Sequence, residues 1–225
     1  MSSISVAGDV SGAISIAAPS AAGSGVLTLP TGTDTLVGKA TTDTLTNKTL
    51  VAPALGTPAS GVLTNCTGVV ASALPAGSVL QVKNYQFATV ATTSVTIPFD
   101  NTIPQITEGG QFLSLAITPV SATSKLYIQV NYWVSVSLAN HVISALFQDS
   151  TANALAATTA YMATSTGSLQ NSINYFMTSG TTSSTTFTVR AGSGNAGTVT
   201  FNGQNAGQIF GGVGYSSITI MEIAV

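Results

Sequence analysis

Three glycines in the C-terminal part of the chain, Gly192, Gly194 and Gly197, form a G-x-G-x-x-G pattern. In a dinucleotide site this pattern joins a strand to a helix whose N-terminus receives the phosphate. Here both flanks, 187–190 and 198–201, alternate polar and apolar residues as strands do. The pattern therefore predicts a hairpin turn, and we expect no bound nucleotide or other cofactor.

Hydrolytic chemistry requires paired carboxylates, or a nucleophile beside a base. Of the acidic residues after position 80, only Asp100 and Glu108 lie within ten positions of each other. His141 is the only histidine and Cys66 the only cysteine, which excludes a multi-histidine or cysteine-rich metal site within one chain. Three copies of His141 around a threefold axis would be needed to hold an ion. We predict a protein that is not an enzyme and carries no metal.

Neutral polar side chains beside aromatic rings are the remaining groups able to recognise a ligand. Amide donors and acceptors next to an aromatic face suit carbohydrate, which is uncharged and rich in hydroxyl groups. The alternative is that these loop residues only shape turns. The candidate receptor contacts are Tyr161, Asn195, Asn202, Gln204, Asn205, Gln208 and Tyr215.

Glu222 stands among apolar residues in the predicted strand 216–223. A buried carboxylate without a partner costs several kcal/mol. Two interpretations stay open: Glu222 is buried and paired with Arg190 or Lys125, or it faces outward at the end of the strand.

The composition limits the possible partners. Charged residues make up 5% of the chain, against roughly a quarter in an average globular domain, and the formal net charge is −2. A positive patch for nucleic acid or for an anionic membrane is therefore not expected. No stretch of 18 residues is free of serine, threonine, glycine or proline, so we also expect no membrane insertion.

The aromatic residues divide the chain in two. Tyr85 is the first of them, and all 8 Phe, all 6 Tyr and the single Trp lie at or beyond it. Ordering a residue costs about 1.5 kcal/mol, which requires roughly 60 Å² of apolar burial at about 25 cal/mol per Å². Small side chains seldom reach that area in a thin monomer. We therefore predict that residues 1–80 form an intertwined segment of several chains and that residues 81–225 form a separate domain.

Short repeats and leucines support this division. The run TDTLVGK at 33–39 returns as TDTLTNK at 42–48, and SGVLT at 24–28 returns at 60–64. Repeats of this size need neighbours to bury their apolar face. In a trimer, Leu45, Leu50 and Leu63 would meet around the axis.

A resemblance to known proteins rests on this segment. Residues 32–50 read GTDTLVGKATTDTLTNKTL, and Pro53 and the run GVLTNCTG at 61–68 follow. The stretch resembles a segment that recurs in virion fibres of tailed bacteriophages, both tail fibres and head fibre or decoration proteins. It covers roughly residues 30–70 and implies a homotrimer with an N-terminal attachment and shaft region and a C-terminal knob.

The C-terminal domain reads as an all-β antiparallel sandwich. Residues 125–137 alternate almost completely, and about seven shorter runs separated by turns favour a jelly roll. The outward face of 125–137 also carries Tyr127 and Trp133, which we expect at a subunit interface, as in the trimeric knobs of the tumour-necrosis-factor and complement-head type. Residues 152–162 are predicted as a helix or a long loop, because alanine and leucine dominate there.

Together these features predict a virion protein exposed on the particle surface. The leading hypothesis is a trimeric tail fibre that attaches through residues 1–80 to a tail or capsid protein and contacts a host-surface glycan or protein through the knob. A capsid-bound head fibre or decoration trimer is the alternative. A glycan-degrading tail spike is less favoured, because no carboxylate pair is evident.

Overall fold

The computed structural model describes residues 3–7, 13–17, 31, 49, 51, 73–165 and 167–225. Contacts within the chain divide it into two units, Met1–Gly61 and Val62–Val225. The described residues of the first unit include an antiparallel hairpin of strands β1 (Ser3–Ala7) and β2 (Ala13–Ala17). The leucines predicted at a trimer axis lie outside the described residues: Leu45, Leu50 and Leu63.

The described part of the second unit is built from β-strands. A single turn of 3-10 helix at Phe210–Gly212 interrupts them. The strands are β3 (Val79–Phe87), β4 (Ala91–Thr93), β5 (Gly110–Ile117), β6 (Lys125–Val136), β7 (Asn140–Gln148), β8 (Ala156–Met162), β9 (Ser168–Thr178), β10 (Thr185–Ser193), β11 (Val199–Phe201), β12 (Gly203–Gln204), β13 (Gly207–Gln208) and β14 (Ser216–Ile223).

Two pairs of these strands act as single interrupted strands. β11 and β14 pair with the same edge of β6, Val199 opposite Val136 and Ser217 opposite Asn131, so residues 202–215 form an excursion between two halves of one strand. β3 and β4 pair with these halves in turn and form the edge strand. We call residues 202–215 the excursion.

The strands form two antiparallel sheets. Sheet I has the order β3/β4, β14/β11, β6, β9, and sheet II has the order β5, β10, β7, β8. With each interrupted strand counted once, the orders are 1-8-3-6 and 2-7-4-5, which is the arrangement of an eight-stranded jelly roll. The all-β antiparallel sandwich predicted from the alternating runs is confirmed.

The core lies between the two sheets. On β6, Leu126, Ile128 and Val130 are fully buried, and Phe187 and Val189 of β10 face them from sheet II. Burying an apolar side chain of this size contributes about 1.5–3 kcal/mol. The alternation that predicted a half-buried strand at 125–137 is therefore matched by the burial pattern of β6.

Two local predictions were wrong. Residues 156–162 form strand β8, neither a helix nor a loop, because pairing with β7 from Leu146 to Asn140 outweighs the weak helix preference of alanine. The turn after Gly192 is not a hairpin, because it joins β10 of sheet II to β11 of sheet I.

A segment of the same chain, residues 95–108, covers the outer face of sheet II over its two central strands, β7 and β10, and leaves the outward residues of β8 exposed. We call this segment the strap. Its backbone is tied down by bonds from Ile97 N to Ser193 O (3.2 Å) and from Ile106 N to Ala152 O (2.8 Å). Ile97 is fully buried. A Cβ at Gly192 would lie 2.5 Å from the Val95 carbonyl oxygen, so the strap can lie directly on the sheet only over glycine.

Candidate functional site

An open cleft lies where the excursion meets the outer face of sheet I. It has a volume of about 500 Å³, within the range of small-molecule sites. Its lining combines aromatic and neutral polar side chains, and none of the described residues that line it carries a charge. The lining consists of Asn131, Trp133, Gln170, Phe210, Val213, Gly214, Tyr215 and Ser217.

The register of sheet I sets the polar side of the cleft. Asn131 and Trp133 lie two residues apart on β6, so their side chains share the outward face. Gln170 of β9 lies directly opposite Trp133, and Ser217 of β14 lies directly opposite Asn131. Three strands therefore bring these four side chains together on a rigid surface.

The excursion forms the other side of the cleft and is anchored at both ends. Asn202, its first residue, is 1% exposed, and its side-chain amide donates to the carbonyl oxygens of Phe87 (2.7 Å) and Thr89 (3.1 Å). The Ser216 hydroxyl, just after the excursion, donates to Asn202 Oδ1 (2.8 Å) and accepts from Trp133 N (3.2 Å). Asn202 is therefore an anchor, and its prediction as a receptor contact was wrong because its amide is buried and occupied.

Aromatic rings form the floor and rim of the cleft. The ring centroids of Trp133 and Phe210 lie 5.8 Å apart, tilted by 33°. A Cβ at Gly214 would lie 2.8 Å from the indole, so the excursion rests directly on Trp133. Phe210 is 72% exposed and Tyr215 50% exposed, which leaves both rings open to a ligand.

Backbone strain is concentrated in the excursion. Among the described non-glycine residues with positive φ, four of the five lie there: Asn202, Asn205, Ala206 and Phe210. Phe210 has φ +53°, an unusual conformation for a bulky residue that costs of order 1–3 kcal/mol. Strain of this kind clusters at ligand-binding segments, where the surrounding structure maintains it.

Two of the residues singled out from sequence lie in this cleft. Tyr215 lines it as a predicted receptor contact, and Trp133 lines it although it was predicted at a subunit interface. The Trp133 ring packs on Phe210 and Gly214 of its own chain. Sequence reasoning missed Asn131, Gln170 and Phe210, because only the strand register and the path of the excursion bring them together.

Other predicted contacts lie outside the cleft lining. Gln204, Asn205 and Gln208 belong to the small hairpin of β12 and β13 within the excursion, where Asn205 and Gln208 are exposed. These three residues lie in the excursion that borders the cleft, but they do not line the cleft.

Tyr161 and Asn195 are positioned by different elements. Tyr161 is an exposed residue of β8 in sheet II, with its ring 4.9 Å from the ring of His141. Asn195 is exposed in the turn after β10, where its carbonyl oxygen accepts from the Ser193 hydroxyl. The seven predicted contacts therefore do not form one site.

The four carboxylates among the described residues each accept hydrogen bonds that organise loops or turns. Asp100 accepts from the hydroxyl (2.6 Å) and the backbone amide (2.8 Å) of Thr102, and these two bonds lower the pKa of Asp100. Glu108 accepts from Gln105 N (2.9 Å), and Asp149 accepts from Thr186 N (2.8 Å). In the described part of the chain, no cluster of three or more histidine, cysteine, aspartate or glutamate side chains is arranged to hold a metal ion.

Glu222, the fourth carboxylate, is fully buried and faces the loop that precedes β6. It accepts from Ser124 Oγ and Gln81 Nε2, both at 2.6 Å, and from the backbone amides of Val120 (2.8 Å) and Ser121 (3.1 Å). Burial raises the pKa of Glu222, but the hydrogen bonds together lower it below its ordinary value. The carboxylate is thus stabilised by neutral donors.

The cations proposed for Glu222 bind elsewhere. Arg190 donates to the carbonyl oxygens of Glu108 and Gly109, both at 2.8 Å, and Lys125 donates to the Thr178 hydroxyl at 2.7 Å. Of the two interpretations left open, the structure agrees with burial, but the partners within the described chain are neutral donors and neither Arg190 nor Lys125. The sequence did not reveal the backbone amides of the loop as donors to Glu222, because every residue except proline has such an amide.

In the part of the chain that the structure describes, none of the helical segments has the length and apolar character that crossing a membrane requires.

Comparisons with known proteins assign the chain to no family. No protein-family model and no curated protein match it. Solved structures that it resembles include dimeric latent PorU from Porphyromonas gingivalis, with 9% sequence identity and a TM-score of 0.33 over 67% of this chain and 14% of that one.

Two viral structures are also similar at low identity. The enzymatically active domain of tailspike protein 4 from bacteriophage CBA120 is 15% identical, with a TM-score of 0.26 over 54% of this chain and 18% of that one. A chain of infectious bursal disease virus Gx strain is 12% identical, with a TM-score of 0.31 over 64% of this chain and 37% of that one. The chain thus spans well under half the length of each of these proteins.

Proposed function

We propose that this protein is a non-enzymatic component of a phage virion, a homotrimeric fibre whose jelly-roll knob binds an uncharged carbohydrate on the host surface. The observation that carries the proposal is the cleft, which joins Trp133, Phe210 and Tyr215 to neutral amide and hydroxyl groups. The phage-like run within residues 30–70 supports the virion role. It lies N-terminal to the jelly-roll knob, as expected for an attachment and shaft segment.

The chemistry of the lining favours a sugar over other small ligands. The apolar face of a pyranose ring stacks on an aromatic ring, while its hydroxyl groups require neutral donors and acceptors such as Asn131 and Gln170. An anionic ligand would find no positive charge among the described lining residues. A purely apolar ligand would leave the amides without partners.

The expected affinity fits a multivalent fibre. A single hexose has about a dozen non-hydrogen atoms, and about 0.3 kcal/mol each gives roughly −4 kcal/mol, or a Kd of about 1 mM. Three linked knobs raise the apparent affinity by two orders of magnitude or more when their geometry allows simultaneous binding. In a trimer, simultaneous binding by three knobs would compensate for weak single sites.

The alternatives differ in what they predict. A glycan-degrading spike needs a free carboxylate pair, whereas the described carboxylates are engaged in capping loops and turns. A head fibre or decoration trimer has the same sequence features, so particle imaging with an antibody against the knob distinguishes head from tail. Release of reducing sugar from host envelope glycans would contradict the binding-only proposal.

The binding test compares two exposed tyrosines. We expect Tyr215→Ala to weaken binding of host-surface glycans to the full-length protein at least tenfold, which corresponds to about 1.4 kcal/mol. Tyr161→Ala is the control, because Tyr161 is at least as exposed as Tyr215 but lies outside the cleft. Equal losses in both variants, or none in either, would exclude the cleft as the binding site.

The trimer is tested by mass in solution. Mass photometry or light scattering of the full-length protein is expected to show a species three times the chain mass of 22.5 kDa. A predominant 22.5 kDa species would overturn the homotrimer.

A further inference from the structure

The outer face of sheet I continues beyond the cleft as a polar surface. The strand register places outward side chains of four strands side by side, in rows that run across the sheet. Two consecutive rows adjoin the cleft, and we call them the polar rows. The first consists of Gln86, Ser217, Asn131 and Ser172, and the second of Asn84, Thr219, Gln129 and Asn174.

The polar rows offer hydrogen-bonding groups without charge. All eight residues are amides or hydroxyls, and each is at least partly exposed. The Asn84 amide donates to the Thr219 hydroxyl (2.8 Å). The side-chain amides of Gln129 and Asn131, by contrast, have no hydrogen-bond partner among the described residues. These central groups are available to a ligand that lies across the sheet.

An apolar row follows the polar rows at the far end. Val82, Met221, Tyr127 and Phe176 lie side by side, and Phe176 is 56% exposed. The Tyr127 hydroxyl donates to Asn174 Oδ1 (3.0 Å), which holds its ring at the edge of the second polar row. Tyr127 and Trp133 are six residues apart on one strand, or about 20 Å at roughly 3.3 Å per residue.

The face therefore has aromatic platforms at both ends and neutral polar groups between them. We propose, on the basis of the proposed function, that the ligand is a linear uncharged oligosaccharide that lies along β6 from the Trp133 cleft to Tyr127 and Phe176. Stacking at the two platforms holds its ends. The polar rows bind the hydroxyl groups of the sugar units between them.

The arrangement of polarity favours a glycan over a second copy of the chain. A stable subunit interface has an apolar centre and a polar rim. Here the order is reversed, because the centre consists of the polar rows and the apolar groups lie at the ends. The lack of charge in the polar rows also matches an uncharged polymer, and Lys125 lies one row beyond Tyr127, bonded to Thr178.

The test measures affinity against ligand length. The probes are neutral cello-, malto- and manno-oligosaccharides of one to eight units, titrated by calorimetry into the full-length protein. We expect affinity per chain to rise at least tenfold between the shortest bound member of a series and the longer ones, and then to level off. An affinity that does not increase with ligand length would overturn the inference, but the cleft would remain a sugar site. No binding by any series overturns the carbohydrate proposal itself.

Two variants show which residues are responsible for the increase in affinity with ligand length. Tyr127→Ala is expected to remove most of the gain for long probes and to leave binding of short ones unchanged, whereas Tyr215→Ala weakens binding at every length. Tyr161→Ala serves as the control that changes neither. Melting temperature and mass in solution are measured for each variant. A Tyr127→Ala protein that changes its oligomeric state would show that this face is a subunit contact, which would overturn the inference.

Discussion

The outer faces of the two sheets differ in how far they are covered by other parts of the chain. In sheet II the strap of the same chain covers the central strands β7 and β10, whereas in sheet I the outward residues of the central strand β6 are partly exposed. The cause is visible on single strands. On β7, the outward residues Ile143, Ala145 and Phe147 are buried, as are the core-facing residues between them. On β6, by contrast, the outward residues Gln129 and Asn131 are partly exposed.

This difference is the reason why we propose the outer face of sheet I, and not that of sheet II, as the binding face. A face with large apolar residues must be covered for the domain to remain stable, so its contacts serve stability. A face of amides and hydroxyls is stable in water and keeps its groups available. In this jelly roll, the part of sheet II under the strap thus contributes to stability, and the open face of sheet I is the one that we propose for binding. The variants below change either face and are ordered by expected effect.

The largest loss of stability is expected for the buried side chain of the strap. Ile97→Ala removes a fully buried side chain and should lower the free energy of unfolding by about 3 kcal/mol. Chemical denaturation measures the change. Val82→Ala on the open face is the control, since Val82 is 53% exposed and should cost far less. If the two variants cost the same, the strap does not protect a second layer of packing.

An intermediate effect is expected at Glu222, which bonds β14 to the loop that precedes β6. Glu222→Gln replaces one acceptor oxygen with a donor that faces other donors, and should cost about 2 kcal/mol at neutral pH. The folded-state pKa of Glu222 is lowered, so its stabilisation is present above the unfolded pKa and is lost as pH falls through the folded one. Denaturation curves at several acidic pH values should therefore converge for the wild type and the variant. Parallel curves would contradict this role.

A smaller effect is expected at the edge of the strap. The ring of Phe99 stacks on that of His141 at 3.8 Å and 9°, but Phe99 is largely exposed. Phe99→Ala should therefore cost about 1 kcal/mol, the typical value of an aromatic pair. Phe99→Leu keeps apolar area without the ring and separates stacking from burial. A loss as large as that of Ile97→Ala would mean that the strap folds as one cooperative piece.

The smallest effect on stability is expected on the open face. Gln129→Ala should change the free energy of unfolding by less than about 0.5 kcal/mol, because the amide makes no bond to the described residues. The same variant should weaken binding of the longer oligosaccharides. A loss of stability above 1 kcal/mol would show that this face is covered in the native protein.

The sequence predicted the sandwich better than its surface. Alternation over 125–137 is a property of one strand and can be read directly, and burial of Leu126 and Ile128 confirms it. Strand β8 was missed because its alanines and threonines lack a strong pattern, and its conformation depends on pairing with β7. The strap was missed for the same reason, since its partner face lies on distant residues.

The proposed binding face was predictable only in part. Tyr215 and Trp133 attract attention as aromatic residues in a polar context, and both line the cleft. Gln170 and Ser217 are nearly fifty positions apart and become neighbours only through their shared contact with β6. Cross-strand register is a tertiary property, so a single sequence does not reveal a surface that spans four strands.

The interrupted strand makes the excursion replaceable. β11 and β14 are each held in register by β6, and Asn202 and Ser216 close the gap between them with their own hydrogen bond. The residues between these two positions contribute little to the core, so their number and identity can change while the sandwich persists. The same sandwich can therefore carry excursions of other lengths and sequences, and under the proposed function each of them would give the cleft a different lining.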